Sequence, residues 1–227
     1  MHTVLGQFFE TPLDNESSCR ALFGTINRVS ESLMPLRYGK TEPLRKLFSV
    51  DAIVGDWNDA TFWKRKKPSC EGNYWPRNHF QPHDIIYYDV SGRRWADALI
   101  ELQARWAETF PTYFGYVHLV ADAHLHLPEY GKRIMPFGQG LAWRDMEKRL
   151  PCVAWSMLFG PAYVQQIGRD KLLSAPVYRV IEGKAGICLQ LTESVEILVN
   201  DFSAYRHERD ALIGHLGPEV VAPIEPQ

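Results

Sequence analysis

Three short apolar runs constrain this chain more than any other feature of its sequence. They lie at residues 84 to 90 (DIIYYDV), 113 to 123 (YFGYVHLVADA) and 152 to 159 (CVAWSMLF). Runs of this length that are rich in β-branched and aromatic residues predict β-strands. The third run is apolar on both faces of such a strand, so we expect it to lie centrally in a sheet.

Helical patterns precede and separate the first two of these strands. Asp14 and Asn15 can cap a helix that ends before Pro35, and a second helix follows the turn at Ser91-Gly92. The apolar stripes of the two helices are Leu22, Phe23, Ile26, Val29 and Leu33, and Trp95, Leu99, Leu102 and Trp106. A strand, a helix and a strand in this order fit a parallel crossover unit, which would be right-handed.

The C-terminal third predicts a short helix, a hairpin and a final helix. The short helix begins at Gly160-Pro161, and VYRVIEG and AGICLQL form the hairpin around Gly183-Lys184. The final helix carries Phe202, Tyr205, Arg209, Leu212 and Leu216 and ends at Gly217-Pro218. We therefore predict one α+β domain over residues 1 to 217, with a mixed β-sheet flanked by helices, and a flexible tail at 218 to 227.

Composition and charge restrict the classes of partner. The chain has 25 basic and 27 acidic residues and a formal net charge of −2, which argues against direct nucleic-acid binding. No apolar run approaches the ~20 residues that span a bilayer, and the N-terminal residues do not resemble a leader, so we expect a cytoplasmic protein. Four widely spaced cysteines without a CxxC pair predict reduced thiols: Cys19, Cys70, Cys152 and Cys188.

The segment DAHLHLPEY raises the possibility of a metal site. If the strand continued to residue 126, side chains of one parity would share a face: His118, Asp122, His124 and His126. A catalytic zinc needs three protein ligands, HxH supplies two, and no HExxH or CxxC motif accompanies them. We therefore expect surface or hydrogen-bonded histidines and no metal or cofactor. A metal-dependent hydrolase that uses these four residues is the alternative.

Residues 150 to 217 carry a pattern of scaffold positions. A strand enters FGPAYV, a short helix reaches GRDKLLSAP, a hairpin ends in LQLTES, and a charged helix closes at HLG. This pattern resembles bacterial immunity proteins of polymorphic-toxin and type VI secretion systems, in particular the immunity family numbered fifty-two. The resemblance implies a protein without catalytic activity that binds and neutralises a cognate antibacterial toxin. Toxins of that family include nucleases of the restriction-endonuclease superfamily.

Residues 36 to 82 combine large aromatic residues with many prolines, and we expect mostly loop with short elements there. Aromatic and acidic side chains would suit a toxin with a basic substrate groove. The residues that we predict to bind the partner are Asp56, Trp57, Asp59, Trp63, Tyr74 and Trp75. The alternative is that the tryptophans form a peripheral core. The acidic stretches at 193 to 196 or 201 to 210 are then the next candidates for the partner interface. A scaffold protein outside toxin systems would share all these features.

Overall fold

The computed structural model describes residues 1–79, 81–121, 149–150 and 153–221, and these contain a ten-stranded sheet. The strands are β1 His2–Phe9, β2 Arg37–Gly39, β3 Lys46–Leu47, β4 Thr61–Lys66, β5 Ser69–Trp75, β6 Asp84–Ser91, β7 Thr112–Val120, β8 Ser156–Phe159, β9 Arg179–Gly183 and β10 Gly186–Gln190. Their order in the sheet is β3-β2-β4-β5-β6-β1-β7-β8-β10-β9.

Helices of the described residues lie between these strands and after the last of them. They are α1 Glu16–Val29, α2 Val50–Val54, α3 Ala96–Thr109, α4 Pro161–Ile167, α5 Arg169–Leu173, α6 Ile197–Asn200 and α7 Phe202–Leu216. Asn15 caps α1, because its side chain accepts a hydrogen bond from the backbone N–H of Ser18. The predicted helices near the two ends of the chain are confirmed as α1 and α7. The short helix predicted to begin at Gly160-Pro161 is divided into α4 and α5 at Gly168, where φ is 102°. None of the helices in the described part combines the length and apolarity that crossing a membrane requires.

The α+β class is confirmed, and the three predicted strands are present as β6, β7 and β8. β7 ends at Val120 and β8 begins at Ser156. The crossover from β6 through α3 to β7 joins parallel strands, but β1 lies between them and pairs antiparallel with both. Because of this insertion, every pairing between neighbouring strands of the described sheet is antiparallel, and the expected mixture of parallel and antiparallel pairs is not found there.

Strand β1 was not predicted from the sequence, yet it occupies the centre of the sheet. Seven of its eight residues are buried. Gly6 is required there because an added Cβ would lie 2.4 Å from Cε1 of Tyr116 on β7. The ring of Tyr116 therefore lies across the backbone of β1, which ties the two central strands together.

Residues 36 to 82 contain more regular structure than predicted. β4 and β5 form a hairpin whose pairs run from Thr61 opposite Tyr74 to Lys66 opposite Ser69. The prediction of mostly loop was wrong. Core-facing and outward-facing side chains alternate along both strands, but lysines and aromatic residues on the outward face obscured this alternation in the sequence. The start of the predicted tail is also ordered: Leu150 N–H donates to the Val220 carbonyl at 2.6 Å, and Val221 is buried. The remainder, 222 to 227, lies outside the described residues.

Helices cover opposite faces of the two ends of the sheet. Residues opposite each other in an antiparallel ladder project to the same face. We define the first face as the one that carries Trp63 and the second face as the one that carries Phe159. Phe23 of α1 packs on Trp63 at 5.2 Å between ring centroids, whereas Tyr163 of α4 packs on Phe159 at 5.8 Å. We call β2, β4, β5 and β6 the first half-sheet and β8, β10 and β9 the second half-sheet.

Candidate partner-binding face

Three of the six residues predicted to bind a partner are buried, and the other three reach the surface. Trp57, Trp63 and Tyr74 are buried. The rings of Trp57 and Tyr74 are stacked, with centroids 4.4 Å apart and an interplanar angle of 10°. Buried rings cannot contact a partner across a folded surface, so this part of the segment forms a peripheral core beneath α1, as the alternative expectation had it.

A buried carboxylate fixes this aromatic cluster. Asp84 accepts hydrogen bonds from the Tyr74 hydroxyl at 2.7 Å, from the Leu13 N–H at 2.8 Å and from Arg77 Nε at 2.8 Å. Trp57 Nε1 donates to the Leu13 carbonyl at 2.6 Å. Burial, together with the neighbouring carboxylate, raises the pKa of Tyr74 well above its ordinary value. The network therefore holds a neutral phenol and stabilises the fold.

Asp56 is partly buried and Asp59 is exposed, and each is paired with a lysine. Lys46 donates to Asp56, and the Nζ of Lys40 lies 3.3 Å from Oδ2 of Asp59. The hydrogen bond from Lys46 lowers the pKa of Asp56, and the Ala60 N–H together with Lys40 lowers the pKa of Asp59. This corner is consequently not the acidic patch that a basic groove would require.

Trp75 is the one residue of the six whose large apolar side chain is exposed, at 42% of its surface. Its ring meets Phe62 edge to face, with centroids 5.3 Å apart. Both lie on the second face of the first half-sheet, which α1 does not cover. We define the open face as seven of the residues that project there from β4, β5 and β6, namely Phe62, Lys64, Glu71, Asn73, Trp75, Tyr87 and Asp89.

Charges of both signs lie beside the aromatic pair on the open face. Glu71 is opposite Lys64 on one side and Asp89 on the other. Burial raises the pKa of Asp89, with Glu71 adding to the effect and His2 opposing it from 2.9 Å. Lys64, the lysine opposite Glu71, is bound to Glu42 at 2.8 Å and not to Glu71. The face can bind an aromatic or aliphatic group at Trp75 and a cation near Glu71.

Six of these seven residues were not predicted as partner-binding; they are Phe62, Lys64, Glu71, Asn73, Tyr87 and Asp89. The alternation of inward-facing and outward-facing side chains in TFWKRK and SCEGNYW is the sequence feature that could have identified them. Recognition of the hairpin at Lys67-Pro68 would have placed Trp63 and Tyr74 inside and Phe62 and Trp75 outside.

Of the four residues in the alternative metal site, the structure describes His118, which is buried on the second face of β7. The backbone N–H of Trp155 donates to His118 Nδ1 at 3.2 Å. Because Nδ1 accepts this bond, the proton of the neutral ring is on Nε2. A metal bound at Nε2 would require that nitrogen to be unprotonated. Asp122, His124 and His126 lie outside the described residues. Within the described ranges, no three His, Cys, Asp or Glu side chains are grouped closely enough for a metal ion.

Comparison with known proteins adds a likeness of fold. A solved structure described as Pseudomonas aeruginosa T6SS protein PA0821 resembles the chain with a TM-score of 0.52 at 14% sequence identity. The alignment covers 98% of this chain and 76% of that chain. No protein-family model matches the chain, and no curated protein matches its sequence at a significant level. The overall fold therefore resembles that of a protein described as belonging to the type VI secretion system.

Proposed function

We propose that this chain is an immunity protein that binds a cognate antibacterial effector of a type VI or polymorphic-toxin system and neutralises it by blocking its active site or substrate groove. The observation that carries the proposal is the likeness of fold to a T6SS protein over 98% of the chain. The pattern of residues 150 to 217 points to the same class. We propose further that the effector is a nuclease and that inhibition requires binding without catalysis.

The open face is the surface that best suits this role. It is held rigid by the buried network at Asp84 and by the aromatic core on the other side of the same strands. Trp75 supplies a large exposed anchor, and residues of this type dominate binding energy at protein interfaces. Glu71 supplies a carboxylate that a lysine or arginine at the rim of a nucleic-acid groove would complement. This surface replaces the corner at Asp56 and Asp59, whose charges are already paired.

A co-expression experiment tests the function. Cells that express the effector encoded beside this gene should grow when the wild-type chain is present and should die without it. Survival of effector-expressing cells that lack this chain would contradict the proposal. Purified effector should retain nuclease activity that the chain abolishes at equimolar ratio, and an effector without nuclease activity would correct the class of toxin.

Two variants locate the interface. Trp75→Ala should weaken effector binding at least about 30-fold, a loss expected for an anchor residue. Val199→Ala removes an apolar side chain of similar exposure, 40%, on the short helix α6, and should leave binding unchanged. Both variants should unfold at the wild-type urea concentration, because neither residue is buried. Equal binding by both variants would place the interface elsewhere while leaving the protective function intact.

A further inference from the structure

The sheet ends in one strand whose edge is unusually open. β9 pairs with β10 on one side and is the last strand of the described sheet. Ile181, at the middle of this strand, is 44% exposed, and Tyr178 just before it is 54% exposed. The opposite edge strand, β3, has two residues and carries Lys46, features that discourage strand addition. β9 therefore offers the better template for another strand.

The hydrogen-bond pattern shows which backbone groups of β9 face outward. Leu191 N–H donates to the Trp155 carbonyl, so odd residues of β10 point to β8 and even residues point to β9. Through the pairs Cys188 with Ile181 and Gln190 with Arg179, the odd residues of β9 point back to β10. The N–H and C=O groups of Val180 and Glu182 consequently point away from the sheet, and none of the described residues pairs with them.

We propose that β9 pairs antiparallel with β9 of a second copy of this chain and so joins two sheets across a two-fold axis at Ile181. In this register Val180 lies opposite Glu182 of the other copy, and each of these residues exchanges two backbone hydrogen bonds. The two Ile181 side chains meet on the axis.

Neighbouring registers fit less well. A shift of the axis to Glu182 would place two carboxylates opposite each other, and a shift to Val180 would place Ile181 opposite Arg179. Glu182 is already bound by Arg169, whose Nε and Nη2 each lie 2.7 Å from a carboxylate oxygen. The Ile181 register leaves no like charges opposite each other. This inference is independent of the proposed effector binding.

Light scattering coupled to size-exclusion chromatography of the full chain tests the proposal. The wild type should be a dimer at micromolar concentrations. Val180→Pro removes an outward N–H and no bond to β10, and should raise the dimer dissociation constant at least about tenfold. A wild-type chain that remains monomeric into the high micromolar range would overturn the proposal, as would a Val180→Pro variant that folds and dimerises like the wild type.

A second pair of variants keeps the test decisive if Val180→Pro does not fold. Ile181→Lys places two ammonium groups on the two-fold axis and should also dissociate the dimer by about tenfold or more. Val199→Lys, on α6, should leave the dimer intact. Ile181→Cys should form a reducible covalent dimer under mild oxidation, because opposed residues at the axis bring their Cβ atoms within about 5 Å. A dimer that neither Ile181 variant alters would assign association to another surface.

Discussion

The first half-sheet and the centre of the sheet contain the same contact between a glycine and an aromatic ring, but on opposite faces. In the first half-sheet the ring of Trp63 lies over Gly72, on the face that α1 covers. At the centre of the sheet, the ring of Tyr116 lies over Gly6 on the other face, where α4 packs through Tyr163. Each glycine gives an aromatic ring of the neighbouring strand room to pack against the backbone.

Because helices cover opposite faces of the two half-sheets, a different surface remains exposed in each half. The first half-sheet leaves the open face with Trp75, whereas the second half-sheet leaves the edge of β9. Six strand spacings separate β5 from β9, roughly 29 Å at ~4.8 Å for each spacing. A partner on the open face and a second copy on the edge would therefore not compete, and a dimer would present two open faces.

The largest expected effect separates the two faces of β4. Trp63→Ala should lower the free energy of unfolding by about 3–5 kcal/mol, because it empties a buried site between Phe23 and Tyr88. Phe62→Ala changes the adjacent residue on the open face and should cost no more than about 1 kcal/mol. Urea denaturation measures both variants. Equal losses would mean that the open face is covered as fully as the first face.

Much of the fold could be predicted because its signals are local. Apolar runs gave β6, β7 and β8, and the three- and four-residue spacing of α1, α3 and α7 identified the helices. β1 could not be recognised as the central strand, because its position depends on pairing with β6 and β7 about 85 and 110 residues away. Such long-range pairing leaves no periodic trace in a single sequence.

The candidate site was predicted in part for a related reason. The sequence marked a segment rich in aromatic and charged residues, and Trp75 within it is exposed. It could not tell Trp75 from Trp63, because only the register of the β4–β5 hairpin decides which ring faces α1. The pairing of Asp56 with Lys46 also depends on a contact between separate elements.

Two carboxylates of β6 should respond differently to the same change. Asp84→Asn weakens the buried network with Tyr74 and Arg77 and should cost about 1–3 kcal/mol. Asp89→Asn, on the open face, removes a charge opposite Glu71 and should leave stability at neutral pH unchanged or slightly higher. Thermal and urea unfolding check both variants. A loss for Asp89→Asn as large as that for Asp84→Asn would contradict the assignment of the two faces.

The contact between a glycine and an aromatic ring of the neighbouring strand can be tested on both faces by replacing each glycine with alanine. An added Cβ at Gly72 would lie 2.3 Å from Trp63 Nε1, and one at Gly6 would lie 2.4 Å from Tyr116 Cε1. Gly72→Ala and Gly6→Ala should each cost about 1–3 kcal/mol, since a rigid buried ring must move. Gly183→Ala, where no atom lies within 4 Å, should cost little. A tolerated Gly6→Ala would show that the ring of Tyr116 does not fix β1 against β7.

The smallest expected effect concerns the paired corner at Asp56. Its pKa is lowered by the hydrogen bond from Lys46, so the folded state favours the ionised carboxylate. The pair therefore stabilises the fold fully above the ordinary value of 3.8, and this contribution disappears as the pH falls below that value through the lowered pKa. Because the pair is largely solvated, Asp56→Asn should cost no more than about 1 kcal/mol at neutral pH. The stabilities of the variant and the wild type, measured by urea unfolding, should converge in acid. A difference between them that persisted or grew as the pH fell would show that Asp56 acts through its shape and not its charge.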